Sequence, residues 1–280
     1  MRELSIEQVK LLELEVLKDI ADFCEENGIE YFLCGGSLIG AVRHQGFIPW
    51  DDDIDIAMTR ENYDKFVSLY RSDRYKLCVT DGDEDFYLPY LKVYDTHTFL
   101  KGITDFGGEM GVWVDIFPVD KLPADDAKRK KFVKKQIFRQ YLIIAATARD
   151  IQDRKLSSKL VIYAMRVLKK LFGIKNIDLS RKCISEAKKY SNEETDKMGC
   201  VVWGYGMREV CPKEVFEKTV FAPFEHLNLR ILEDYDTYLS NIYGDYMKFP
   251  PEEERVLKHG HNTFYVKEEY IEEIEAVLNK

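Results

Sequence analysis

The sequence predicts a mixed α/β (α+β) protein, and three stretches carry that expectation. Residues 31–42 pass from a short apolar run, Tyr31 to Cys34, through Gly35 and Gly36 into Leu38, Ile39, Ala41 and Val42 at helical spacing, which reads as strand, tight turn and helix. Residues 53–56 alternate aspartate and isoleucine, the period of a strand with one polar and one apolar face. Residues 112–117, VWVDIF, form a further apolar strand.

The remaining elements follow in order. Ser5 and Gln8 form a capping box ahead of Val9, Leu12, Val16, Leu17 and Ile20 at helical spacing, and Gly28 ends that helix. Thr59 opens a helix through Tyr63, Phe66, Val67 and Tyr70, which completes an αβαβα unit. Tyr75–Thr80 and Tyr87–Tyr94 read as strands around a loop at Asp81–Asp85. Gly107, Gly108 and Gly111 approach the 112–117 strand, and Pro118 and Pro123 close this part, giving a sheet of about five strands covered by helices. Two amphipathic helices fill 128–175, and another runs from Asp178 or Ser180 to about Tyr190. A strand entering a glycine-flanked aromatic turn is expected at Cys200–Met207 and a strand at Phe224–Arg230. A helix at Asp234–Tyr243, a loop at Lys248–His261 and a helix at Lys267–Leu278 follow. The boundaries are a core at 1–122, a basic helical region at 123–195 and a smaller C-terminal α+β part at 196–280 that packs on the core and binds substrate.

The chain has 280 residues with 45% apolar and 13% aromatic content, enough for a substantial core. Its net charge of −9 argues against nucleic-acid binding, which needs a basic footprint. The N-terminus is polar and no apolar run reaches membrane-spanning length, so a cytoplasmic protein is expected. Six cysteines without a C-x-x-C pair indicate reduced core thiols rather than zinc or disulfides.

The chemistry concentrates at 35–55. Gly35, Gly36 and Ser37 at a helix start aim backbone N–H groups and a hydroxyl at one spot suited to phosphate, although a ligand-free turn has the same pattern. Asp53 and Asp55 share a strand face about 7 Å apart, near enough to hold a divalent ion, while Asp51 and Asp52 read at least in part as turn or capping acids. Asp115, the lone charge in its strand, is a candidate third ligand, because a buried carboxylate needs a partner or a metal. Lys92, among apolar neighbours, faces either solvent or the cleft.

The Gly-Gly-Ser turn, the Asp-apolar-Asp strand and the later strand aspartate resemble the nucleotidyltransferase fold shared with DNA polymerase β. The string GGSLIGAVRHQGFIPWDDDIDIAM (35–58) resembles the LicD family within it, phosphorylcholine transferases of bacterial surface glycans, as does YGDYMKFPPEEER (243–255). The resemblance implies a nucleotidyltransferase-like mixed sheet flanked by helices. It also implies transfer of phosphocholine from CDP-choline to a hydroxyl of a teichoic acid or lipopolysaccharide type precursor, releasing CMP. Gly35, Gly36 and Ser37 would hold the nucleotide phosphates, with Arg43 and His44 as further phosphate contacts. Asp53 and Asp55 would bind Mg²⁺, with Mn²⁺ the alternative, and Asp115 would complete that site or take the acceptor's proton. A quaternary ammonium is best enclosed by aromatic faces and an acid, so Trp203, Tyr205, Tyr243 and Tyr246 with Asp245 are candidates, each of which equally fits core packing. The rival classes are a nucleotidyltransferase using an NTP, a transferase of another CDP-linked alcohol, and a silent glycan-binding protein.

Residues 128–175 hold fifteen Lys and Arg against Asp150 and Asp153, a net +13 that leaves −22 elsewhere. Basic amphipathic helices fit the inner membrane surface, where a lipid-linked glycan acceptor would be found. A hairpin with a solvated basic face, or an acidic polymer acceptor, fits the same pattern.

Overall fold

The computed structural model of the protein describes residues 1–82, 86–101, 110–147, 156–257 and 263–279. In chain order the elements are β1 (Arg2–Glu3), α1 (Ile6–Glu26), β2 (Phe32–Leu33), α2 (Gly35–His44), β3 (Asp55–Thr59) and α3 (Arg60–Leu69). Next come β4 (Tyr75–Cys78), β5 (Leu91–Asp95), β6 (Thr98–Lys101), β7 (Trp113–Lys121), α4 (Asp126–Thr147), α5 (Leu156–Phe172) and α6 (Asn176–Lys188). The C-terminal part holds β8 (Lys197–Gly199), β9 (Cys211–Pro212), β10 (Thr219–Phe224), β11 (Leu227–Leu232), α7 (Tyr235–Tyr243), β12 (Thr263–Val266) and α8 (Ile271–Leu278).

The central sheet runs β2-β3-β7-β5-β4, with β8 and β9 added beyond the far end of β7. Only the β3–β7 pairing on this path is parallel; it sets Asp55 opposite Asp115, while antiparallel β5 sets Lys92 opposite the same Asp115. The mixed α+β architecture and the five-strand core of the sheet are as the sequence predicts. Helix α1 starts at the expected capping box, with Ser5 accepting from Gln8 N at 3.3 Å and Gln8 Oε1 accepting from Ser5 N at 3.0 Å. One apolar core joins α1, α2, β3 and β7 to Phe224, Ile231, Leu239 and Ile242 of the C-terminal part. All six cysteines are buried and free.

Several expectations are corrected. Strand β3 begins at Asp55, so Asp53 stands in the extended lead-in rather than in the strand, although Ile54 and Ile56 on either side of Asp55 are buried as the alternation requires. The single strand at 224–230 is a hairpin, β10–β11, whose turn places Glu225 at φ 54°. The strand expected at Cys200–Met207 is instead a set of turns and a 3₁₀ turn at Gly206–Glu209, with the strand, β8, ending at Gly199. A separate sheet, β1-β12-β6, ties the N-terminus to residue 266. Gly107, Gly108, Asp83–Asp85, 148–155 and 258–261 lie outside the described residues.

The far end of β7 is held by a buried ion pair. Arg60, at the start of α3, donates from Nε to Asp120 Oδ1 at 2.7 Å and from Nη2 to Asp120 Oδ2 at 2.9 Å. Both side chains are buried, so removing one partner strands a charge in the interior. Asp120→Ala is expected to cost about 3–5 kcal/mol of unfolding free energy. A urea titration showing a loss below about 1 kcal/mol would assign the pair a surface-like role.

Candidate active site

The site grows from the β2–α2 turn. Gly35 adopts φ +56°, a conformation that side chains other than glycine's rarely take, and a Cβ there would lie 3.3 Å from Asp55 Oδ2 and 3.7 Å from the Tyr243 hydroxyl. At Gly36 a Cβ would lie 2.2 Å from Asp51 Oδ2. The absence of two side chains thus lets two carboxylates close on the helix start. Ser37 is buried, and its hydroxyl accepts the backbone N–H of Asp55 at 2.9 Å. It fastens β3 to α2 and keeps its own proton to donate.

Asp55, Asp115 and Lys92 project from three adjacent strands in direct register, with strands about 4.8 Å apart. Lys92 is buried and faces the cleft: its ammonium binds Asp115 Oδ1 and lies 4.4 Å from the Trp113 ring centre and 5.5 Å from that of Tyr90. Burial, then the charges of Asp53, Asp115 and Asp51, push the Asp55 carboxyl well above the usual carboxylate range, and Lys92 opposes this.

Carboxylate oxygens of Asp51, Asp52 and Asp53 lie within 4.8 Å of one another. This gathers two acids that the sequence offered as turn residues into the site's charge cluster. Glu13 of α1 joins them. It is buried, its Oε2 has no hydrogen-bond partner, and burial followed by the charges of Asp53 and Asp52 pushes its carboxyl well up. Sequence reasoning missed Glu13, although it falls on the Val9, Leu17 stripe of α1 where an apolar residue belongs. Oxygen-only donors, mutual repulsion and an orphaned buried carboxylate oxygen fit a divalent cation such as Mg²⁺ or Mn²⁺.

The aromatic candidates divide. Tyr205 and Tyr243 pack edge to face with ring centres 5.7 Å apart, and Tyr243 reaches Gly35. Trp203 instead packs on Tyr90, 5.5 Å away. The Tyr246 hydroxyl donates to Asp236 at 2.7 Å, and its carbonyl accepts from Arg43 Nη1 at 2.8 Å. Asp245 is exposed. Arg43 Nε donates to His44 Nε2 at 3.0 Å, and burial followed by the Arg43 charge lowers the His44 pKa. The guanidiniums of Arg43 and Arg255 lie 4.6 and 5.5 Å from the Phe249 ring centre, and Arg255 lies 5.4 Å from that of Trp50, next to Asp51. Arg255, Phe249 and Trp50 were not singled out from the sequence, since none stands in a pattern of its own.

Carboxylates on neighbouring strands closing on a glycine turn at a helix start define a nucleotidyltransferase domain. The family described as LicD/FKTN/FKRP, nucleotidyltransferase domain, matches residues 28–154. The lipopolysaccharide cholinephosphotransferase LicD of Haemophilus influenzae is 31% identical over 266 residues, covering 92% of this chain and 97% of that protein. The chain belongs to the LicD family. The human ribitol 5-phosphate transferase FKRP is 42% identical over 48 residues, 17% of this chain and 10% of that protein, and an uncharacterized Rickettsia typhi protein is 37% identical over 87 residues, 28% of each.

Glu209 supports the aromatic turn. It is buried, accepts the Tyr205 N–H at 3.1 Å, and burial pushes its carboxyl up from the ordinary 4.5 to about 7, against the Tyr205 N–H bond and the Arg208 charge. A folded pKa above the unfolded one means that the fold favours the neutral acid. The group's contribution is complete below the unfolded value and is lost as pH rises through about 7. Glu209→Gln is therefore expected to remove a fall of roughly 3 kcal/mol in stability between about pH 5 and pH 8. Denaturant titrations across that range check it; an unchanged pH slope rules the assignment out.

Proposed function

We propose that this LicD-family transferase moves phosphocholine from CDP-choline to a hydroxyl of a cell-surface glycan precursor and releases CMP. The observation that carries the reading is the register of Asp55, Asp115 and Lys92 on adjacent strands, with Asp55 closing on the Gly35–Gly36 turn, in a chain similar along 92% of its length to a lipopolysaccharide cholinephosphotransferase. Transfer forms a bond from the acceptor oxygen to the choline-bearing phosphorus. The bond from that phosphorus to the bridging oxygen breaks, and its electron pair leaves with CMP.

Asp53, Asp55 and Asp115 are the proposed holders of Mg²⁺, with Asp51 beside them. The ion, when bound, neutralises charge on the diphosphate oxygens. Gly36 N–H and the Ser37 proton face the phosphates, and Arg43 with Arg255 supplies positive charge beside Asp51. Trp50 and Phe249 offer flat apolar surface to the cytosine ring. Tyr205 and Tyr243 enclose the trimethylammonium, where attraction to ring faces replaces hydrogen bonds the group cannot make. Lys92 holds Asp115 in place through their ion pair. The acceptor's proton passes to a carboxylate of this cluster.

The test is CMP release from CDP-choline with Mg²⁺ and a lipopolysaccharide-type acceptor, run beside CDP-ribitol, CDP-glycerol and NTPs. CMP with phosphocholine on the acceptor supports the reading; pyrophosphate from an NTP, or turnover of CDP-ribitol alone, replaces it. Asp53→Asn and Asp55→Asn are each expected to lower kcat about 100-fold or more with folding retained. Near-normal turnover of either variant would falsify the metal assignment.

A proton held by Asp55 must leave when a cation binds. Because the carboxyl sits well above its ordinary range, Mg²⁺ affinity is expected to rise with pH and binding to release protons. Calorimetry in buffers of different ionisation heat measures this, and a buffer-independent heat would contradict it.

A further inference from the structure

Helix α5 carries apolar side chains on its outward side as well as its inward side. Its inward side holds Ile162, buried against Ala145 of α4, with Met165 and Leu168 packed on the neighbouring clusters. That same side carries two cationic groups with protein partners: Arg166 Nε donates to the Ala145 carbonyl at 2.7 Å and Lys169 bonds Asn176. The opposite side carries Leu160, Tyr163, Ala164, Val167 and Leu171, all exposed. Their spacing of three or four residues, in a helix of 3.6 residues per turn, lines them up in one stripe. Leu160, Tyr163, Val167 and Leu171 are 62%, 55%, 57% and 75% exposed, and Phe172 at the helix end is exposed too. An apolar stripe of this length facing water marks an interaction surface.

Charge identifies what covers it. The flanking Lys170 and the outward Lys131 and Lys134 of α4 are exposed, as are Phe138 and Tyr141 on the same face of α4. The 128–175 segment as a whole carries a net +13. A second copy seated symmetrically on this face would set that positive segment against itself. An anionic bilayer presents what the segment lacks: acyl chains beneath a negative headgroup layer. A helix about 25 Å long with an apolar stripe lies in that boundary and does not cross it, and no described helix is long and apolar enough to span a membrane.

We infer that the outward face of α5 seats this protein on an anionic lipid bilayer, with the exposed lysines of α4 and α5 meeting the headgroups. The apolar stripe supplies insertion and the lysines supply selectivity for anionic lipid. The inference stands on this surface alone and does not depend on the donor or acceptor proposed above.

Sedimentation of the full chain with phosphatidylglycerol-containing vesicles and with pure phosphatidylcholine vesicles tests it. Binding to the anionic vesicles is expected, with about tenfold loss in the triple variant Leu160→Ser, Val167→Ser, Leu171→Ser. Lys131→Glu, Lys134→Glu and Lys170→Glu together should weaken anionic binding and its salt dependence. Because the three apolar side chains are exposed, thermal unfolding of the serine variant should match the parent chain. The inference is overturned by equal binding to neutral and anionic vesicles, by unchanged binding of the serine variant, or by no binding at all. A parent dimer in light scattering that the serine variant abolishes would assign the face to a second copy instead.

Discussion

The register of β7 against β3 on one side and β5 on the other is the constraint from which the rest of the site follows. Parallel pairing on one flank and antiparallel on the other bring Asp55, Asp115 and Lys92 onto one line across the sheet. A slip by one residue would turn these side chains to the opposite face, so the aliphatic residues between them, Ile54, Ile56, Val114 and Ile116, all fully buried, fix the geometry of the candidate site as firmly as they fix the core. Repulsion among the gathered acids works against folding, and Lys92 offsets only part of it. Gly35 and Gly36 admit the carboxylates without a clash, and Ser37 anchors the strand that carries Asp55. The placement of the carboxylates and the local backbone are therefore one problem with one solution.

Much of this could be read in the sequence because the informative residues break a pattern. Asp115 is the only charge in the run 112–117 that opens β7, and Gly35 and Gly36 interrupt an apolar run where the chain must turn. The alternation at 53–56 announced that Ile54 and Ile56 are buried, even though the strand itself starts only at Asp55. Lys92 was legible as a lysine in an apolar strand but not as to its side, which depends on a pairing twenty-three residues away. Glu13 was hidden because a glutamate within a helix is ordinary; only its place on the buried stripe with Val9 and Leu17 marks it. Asp51 and Asp52 were hidden by the opposite effect, since acids before a strand are commonplace in turns.

What the sequence withheld is long-range pairing of short segments. β1 has two residues and meets β12 near the other end of the chain, and β6 completes that sheet. Strands of two to four residues carry too few positions to show a period, and their stability comes from partners that local reading does not see. The hairpin β10–β11 was read as one strand for a related reason. Glu225 adopts a left-handed conformation in the turn where a glycine or asparagine would have signalled it. At Cys200–Met207, the β-branched pair Val201–Val202 reads as strand, yet both are buried side chains packed with α4 and α6 residues rather than part of a ladder.

The aromatic turn at 203–206 joins the candidate site to α4. On one side Tyr205 packs against Tyr243, whose hydroxyl lies beside Gly35. On the other, Gly204 N–H donates to Gln140 of α4 at 3.3 Å, and Gly206, at φ +70°, lies so close to α4 that a Cβ would sit 3.1 Å from Ile137 Cγ1. Glu209 holds the turn's backbone between these contacts. Interiors packed this closely transmit displacement rather than absorb it, so α4 and the Tyr205–Tyr243 pair take up their positions together. The glycines at 204 and 206 are needed for that closeness, as those at 35 and 36 are needed for the carboxylates: the chain omits side chains where Ile137 of α4 and Glu209 close on one turn and Asp55 and Asp51 close on the other.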